Sequence, residues 1–134
     1  MLSWLLDEPG SEAVREALAG AELVVASDLT LVECERALIR ASVLGEMAEA
    51  DAADRRGVLR HAAAHWVLLR VDDEIAERAK RPLPGEPIRT LDALHLASLL
   101  VGRTAVPGLA LVSLDRRIRG SAAELGVEVW PPDS

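Results

Sequence analysis

The sequence predicts an α/β domain with a parallel sheet under helices, and three observations carry that expectation. Short apolar runs at residues 23–26, 67–71, 109–113 and 126–129 alternate with longer segments of helical periodicity. The runs are continuously apolar rather than alternating, as strands are when helices cover both faces of a sheet. The chain of 134 residues is long enough to bury one core and too short for two, so residues 1–134 are expected to form one domain.

Residues 1–10 read as the middle of a helix with no strand ahead of them. Ser11 can cap a helix over 11–19, where Val14, Ala17 and Leu18 recur at helical spacing before Gly20 closes it. The β-branched run at 23–26 favours a buried strand. Asp28 is then the expected N-cap of a helix over 29–44, stopped by Gly45. Residues 46–66 are Ala-rich and read as one long or one broken helix, with Met47, Ala50, Val58, Leu59 and Ala62 as its apolar stripe. Gly57 within it costs about 1 kcal/mol relative to Ala.

A second strand is expected at 67–71, followed by a short helix capped by Asp72 and running through Lys80. Pro82, Pro84, Gly85 and Pro87 then force a loop. Thr90 opens the next helix, with Leu91, Leu94, Ala97 and Leu100 on its inward side. Residues 109–113 form the third strand, 117–125 the last helix and 126–129 the last strand, ahead of Pro131 and Pro132.

Composition narrows the function. Phe and Tyr are absent and only Trp4, Trp66 and Trp130 are aromatic, so the core is aliphatic and a base-stacking platform has little material. The net charge of −7, with Lys80 the only lysine, argues against holding nucleic acid through a broad basic surface. A small, local, metal-assisted contact remains open. Cys34 is single and sits among apolar neighbours, which predicts a buried inert thiol. His61 and His65 have the i, i+4 spacing of helical metal ligands but lack an HExxH pattern, and a solvated or packing role is the simpler reading. No signal-peptide pattern and no apolar stretch of roughly 18 residues is present, so a cytoplasmic protein without a membrane span is expected.

Three acids fall where an α/β sheet builds sites, at the carboxyl ends of strands. Glu33 lies one turn into the helix after the first strand, Asp92 begins the helix after the proline-rich loop, and Asp115 follows the third strand. Each also has an ordinary reading. Glu33 can pair with Arg36, Asp92 can complement the helix dipole beside a capping Thr90, and Asp115 can be an N-cap. His95, one turn beyond Asp92, can orient a carboxylate or pack.

Four segments together resolve the choice: Leu5-Leu6-Asp7-Glu8-Pro9-Gly10-Ser11-Glu12, Ser27-Asp28-Leu29-Thr30-Leu31-Val32-Glu33, Arg89-Thr90-Leu91-Asp92-Ala93-Leu94-His95-Leu96-Ala97 and Leu111-Val112-Ser113-Leu114-Asp115-Arg116-Arg117. In this order and spacing they resemble PIN-domain proteins of the VapC toxin type, over essentially the whole chain. The resemblance implies a three-layer α/β/α sandwich with a parallel sheet whose carboxyl edge gathers acidic side chains around Mg²⁺ or Mn²⁺ for RNA phosphodiester cleavage. By motif, Glu33, Asp92 and Asp115 match three catalytic, metal-holding acids and Ser113 a small hydroxyl residue lining the pocket. Arg116, Arg117 and Arg89 are candidates for binding RNA phosphates. The resemblance further implies a cognate antitoxin as inhibitor and a homodimer.

One departure accompanies the match. PIN domains open with a hydrophobic strand ending in Asp, and no such strand precedes the helix that starts at Met1. The chain is thus expected to be N-terminally truncated relative to the family, with Met1 an internal methionine of a longer native protein. Loss of a central strand would leave two neighbouring strands with unpaired edges. A degenerate PIN-like protein that binds protein or RNA without cutting is the alternative.

Overall fold

The computed structural model describes residues 11–132, and the helix and missing strand expected around residues 1–10 lie outside the described residues. The chain alternates helices and short parallel strands, as an α/β fold requires. Helix α1 spans Ser11–Gly20 and strand β1 Val25–Ser27. Helices α2 (Asp28–Val43) and α3 (Glu49–Ala63) follow, then β2 (Val67–Leu69) and α4 (Asp73–Ala79). Helix α5 spans Thr90–Ala105, β3 Leu111–Val112, α6 Arg116–Glu124 and β4 Val129–Trp130.

The strands pair two by two. β1 runs parallel to β2 with Val25 opposite Val67, and β3 parallel to β4 with Leu111 opposite Val129. Among the described residues no strand joins the two pairs into one sheet. Helix α5 spans both: a Cβ built on its Gly102 would lie 3.2 Å from Leu69 of β2 and 3.2 Å from Leu109, which leads into β3. The missing side chain at Gly102 therefore lets leucines from both strand pairs close onto one turn of one helix.

Two apolar clusters form the core. Leu83, Ala93, Leu96, Leu99, Ala122 and Val127 pack around α5, with α6 and the chain leading into β4. Val14, Cys34 and Leu59 bring α1, α2 and α3 together, with Val112 and Leu114 packed against them from the β3 segment. Arg56 of α3 donates to Glu35 of α2 at 2.7 Å and ties those helices at the surface. Such a half-exposed pair contributes about 1 kcal/mol or less.

Several local expectations are corrected. The N-cap of α2 is Ser27, whose Oγ accepts the Leu29 N–H at 3.2 Å, so Asp28 falls inside the first turn instead of capping it. Helix α3 is continuous through Gly57 and starts at Glu49. Its buried residues are Ala52 and Leu59; Val58 and Ala50 face solvent. In α5 the buried face carries Ala93, Leu96, Ala97, Ser98, Leu99 and Gly102, while Leu91 is exposed. Strand β2 is not covered: Val67 and Leu68 are both exposed, the pattern of a sheet margin. Asp72 caps α4 as expected, its Oδ1 accepting the Ile75 N–H at 3.0 Å.

Candidate active site

The three acids sit on three elements. Glu33 is half-buried, one turn into α2. Asp92 is half-buried in the first turn of α5, a 16-residue helix whose N-cap, Arg89, makes no side-chain cap bond. Thr90 therefore does not cap α5. Asp115 is exposed and is the N-cap of α6, its Oδ1 accepting the N–H groups of Arg117 at 2.9 Å and Ile118 at 3.1 Å.

The Glu33 carboxylate is engaged across the fold by His95, whose Nε2 meets its Oε1. A carboxylate is an acceptor, so the proton in this bond resides on Nε2. The pair joins α2 to α5, the helix whose first turn carries Asp92. The alternative Glu33–Arg36 pair does not form among the described residues; Glu33 meets His95 instead. No ion pair or hydrogen bond from a described residue occupies the Asp92 carboxylate.

Ser113 shapes the turn that carries Asp115. It is buried, and its Oγ accepts the Asp115 N–H at 3.1 Å. Arg119, one turn into α6, donates to the Ser113 carbonyl at 2.7 Å and to the Pro131 carbonyl at 2.6 Å, holding the carboxyl ends of β3 and β4 together. Arg116, Arg117 and Arg89 are exposed.

Two features escaped the sequence reading. The Glu33–His95 bond spans 62 positions, and its only sequence signal was the placement of His95 one turn after Asp92. The other is Asp28, at the carboxyl end of β1. Its Oδ1 is buried and accepts no hydrogen bond. Ser27 and Asp28 are both capping residues, and the sequence alone did not show that the serine would cap and leave the aspartate spare.

A hard divalent cation suits oxygen donors and is commonly held by one or two carboxylates with retained water. Asp28 Oδ1, Asp92 and Glu33 supply that donor chemistry, and a buried carboxylate oxygen without a donor is the kind of group a cation satisfies. No group of three or more His, Cys, Asp or Glu among the described residues stands close enough to hold a metal. Glu33, Asp92 and Asp115 are oxygen donors of the right chemistry, but they are not gathered into a cation site among the described residues. His61 and His65 are both exposed and contact each other edge to face with ring centroids 5.8 Å apart, in keeping with a solvated or packing role. A cleft of ≈ 590 Å³ between α1 and α3, lined by Leu18, Val24, Val58, Ala62 and Trp66, contains none of the acids.

The parallel strands, with acids following β1 and β3 at their carboxyl ends, describe an α/β protein. The family described as PIN domain matches residues 1–123, and the chain belongs to it. PIN domains are generally nucleases and typically use divalent metals. No individual curated protein matches the chain. Among the described residues no helix is long and apolar enough to cross a membrane.

Proposed function

We propose that this PIN-domain chain acts as one domain, a metal-dependent endoribonuclease toxin of the VapC type, hydrolysing RNA phosphodiester bonds in the cytoplasm and restrained by a cognate antitoxin. The observation that carries the reading is the Glu33–His95 contact, which ties an acid of α2 to α5, the helix whose first turn carries Asp92. Together with the family match over residues 1–123, it supports a shared role for these carboxylates.

In this reading Glu33, Asp92 and Asp115 would each contribute carboxylate oxygens to Mg²⁺ or Mn²⁺ once drawn together on the bound RNA. Such an ion lowers the pKa of a bound water and offsets charge on the leaving oxygen. Ser113 fixes the turn that presents Asp115, and Arg116 and Arg117, which are exposed and next in sequence, would bind phosphates of the RNA backbone. With a net charge of −7 the chain has no general attraction for RNA, so binding would rest on these local groups and on a homodimer's combined surface.

The test is cleavage of a single-stranded RNA panel with Mn²⁺ or Mg²⁺. Cleavage that EDTA stops and Asp92→Asn abolishes supports the reading; metal-independent cleavage, or cleavage indifferent to Asp92→Asn, overturns it. The absence of a three-ligand cluster among the described residues favours a second reading, a noncatalytic PIN-like protein that works by binding. Tight capture of an antitoxin without metal uptake would select that one.

A further inference from the structure

We propose that Trp130 is a substrate-binding residue, an indole on which a base of single-stranded RNA stacks beside the Asp115 turn. This role rests on the nuclease reading and deepens it, because it names a surface that holds the substrate. Of the two tryptophans among the described residues, Trp66 is half-buried and packs against the cluster of Val14, Cys34 and Leu59. Trp130 is 42% exposed at the carboxyl end of β4. A ring of that size left in water is available for recognition, where its area and flat face contribute most.

Strand register puts the ring beside that turn. Trp130 stands opposite Val112, and its carbonyl accepts the Ser113 N–H at 3.0 Å, so it is the strand neighbour of the residue whose Oγ accepts the Asp115 N–H. Leu111 and Val129 both pack on the cluster around α5, which leaves Val112 and Trp130 on the opposite face of the strand pair. Trp130 shares that face with Glu128, and its Nε1–H donates to Glu128 Oε1 at 2.9 Å. The bond holds the indole by its edge, and no aromatic ring among the described residues lies on its flat face. A ring with two torsions and one edge already tied loses little freedom when a base is laid on it.

Local charge favours RNA as the occupant. Arg116 and Arg117 are exposed, directly follow Asp115 and make no ion pair among the described residues. The chain from Ser113 to Arg116 reaches at most about 11 Å, so cations for the phosphates stay within a short stretch of RNA of the ring. Basic groups along the backbone with an aromatic face for the base are the means by which single strands are held without sequence being read. A protein partner would instead want a wider apolar patch at the centre of its interface. No other large apolar residue of β3, α6 or β4 is exposed, and Glu128 beside the ring is charged.

The test is binding of a short dye-labelled single-stranded RNA to the full chain in EDTA, where nothing is cut, followed by fluorescence anisotropy. Cleavage with Mn²⁺ gives kcat and KM, and thermal melting reports the fold. Trp130→Leu keeps an apolar side chain without a π-face, and Trp130→Phe keeps a smaller π-face. Trp130→Leu should weaken RNA binding by about 5–100-fold and raise KM in proportion with kcat near the parental value, while Trp130→Phe stays within roughly 5-fold of the parent. Unlabelled RNA should quench the parental indole emission, and that quench should vanish in Trp130→Phe. Parental binding in Trp130→Leu overturns the inference, and Mn²⁺-dependent cleavage in the same protein leaves the nuclease reading standing. If that variant also loses a dimer the parent forms, the ring belongs to a protein interface. Equal weakening in both variants overturns the inference, and so does a quench that is the same in the parent and Trp130→Phe, whatever the stability of the leucine variant. A parent chain that neither binds nor cuts RNA overturns both.

Discussion

Arg119 donates from Nη1 to the carbonyl oxygen of Ser113 at 2.7 Å, anchoring the turn that presents Asp115 to the helix that Asp115 begins. Its Nη2 reaches the Pro131 carbonyl at 2.6 Å, so one guanidinium closes the carboxyl ends of β3 and β4, which are only two residues long each. Ladders so short carry little pairing energy of their own. Hydrogen bonds from a charged donor each contribute about 1.5–3 kcal/mol, and Arg119→Met should cost roughly that much for one bond or somewhat more for both. Arg119→Lys can satisfy one carbonyl but not both, and should fall between parent and Met. Urea unfolding of the three proteins would give the order; equal midpoints would mean the clamp is idle.

Asp115 has two roles that mutation can separate. As N-cap it needs an acceptor oxygen, which asparagine retains and alanine lacks. Asp115→Asn should leave stability within a few tenths of a kcal/mol, whereas Asp115→Ala should cost about 0.5–2 kcal/mol. If the carboxylate also holds a metal, both variants lose nuclease activity to a similar extent. A stable, active Asp115→Asn protein would reduce Asp115 to a cap.

Gly57 and Gly102 predict opposite outcomes for the same kind of change. Gly57 is exposed in the middle of α3, and a Cβ placed on it would meet nothing within 4 Å, so Gly57→Ala should stabilise the protein by about 0.5–1 kcal/mol through helix propensity alone. Gly102 is buried, and a Cβ there meets Leu69 and Leu109 at 3.2 Å. A branched side chain would push leucines of both strand pairs away from α5, and Gly102→Val should cost about 1–3 kcal/mol. Thermal melting of the two variants tests the contrast.

What the sequence made legible follows from which signals are local. Asp72 caps its helix as read, and Asp115 takes the capping role, one of its two readings, because a capping side chain bonds backbone only two or three residues away. The proline-rich segment is a loop for equally local reasons. Helix phase was less legible. Helix α3 is rich in alanine, whose small side chain loses little by facing water, so Ala50 and Ala52 could exchange places in the stripe without a sequence signal. Helix α5 carries apolar residues around much of its circumference, and contacts with α4 and α6 select Leu96 and Leu99 over Leu91. For the site, the motif spacing placed Glu33, Asp92 and Asp115 on their elements, but a pairing across 62 positions such as Glu33–His95 depends on how α2 and α5 meet and appears only in three dimensions.

Cys34 gives a prediction with a defined pH window. It is 0% exposed between Val14 and Leu59, and burial pushes its pKa up from 9.0 to about 11, with the neighbouring charges of Glu33 and Glu35 adding to the shift. Because the folded value lies above the unfolded one, the stability this thiol contributes is complete below pH 9.0 and is lost as pH rises towards about 11, where the unfolded chain releases a proton that the folded chain keeps. The thiolate is the reactive species, so at pH 8.5 iodoacetamide should leave the native protein unmodified over a time in which it labels the urea-unfolded chain completely. Cys34→Ser should be destabilising despite its similar size, since it buries a stronger hydrogen-bonding group among apolar neighbours, at a cost of about 1–3 kcal/mol. Rapid native labelling would mean that α1 and α3 separate from α2 often enough to expose the thiol, and mass spectrometry of the labelled chain reads that directly.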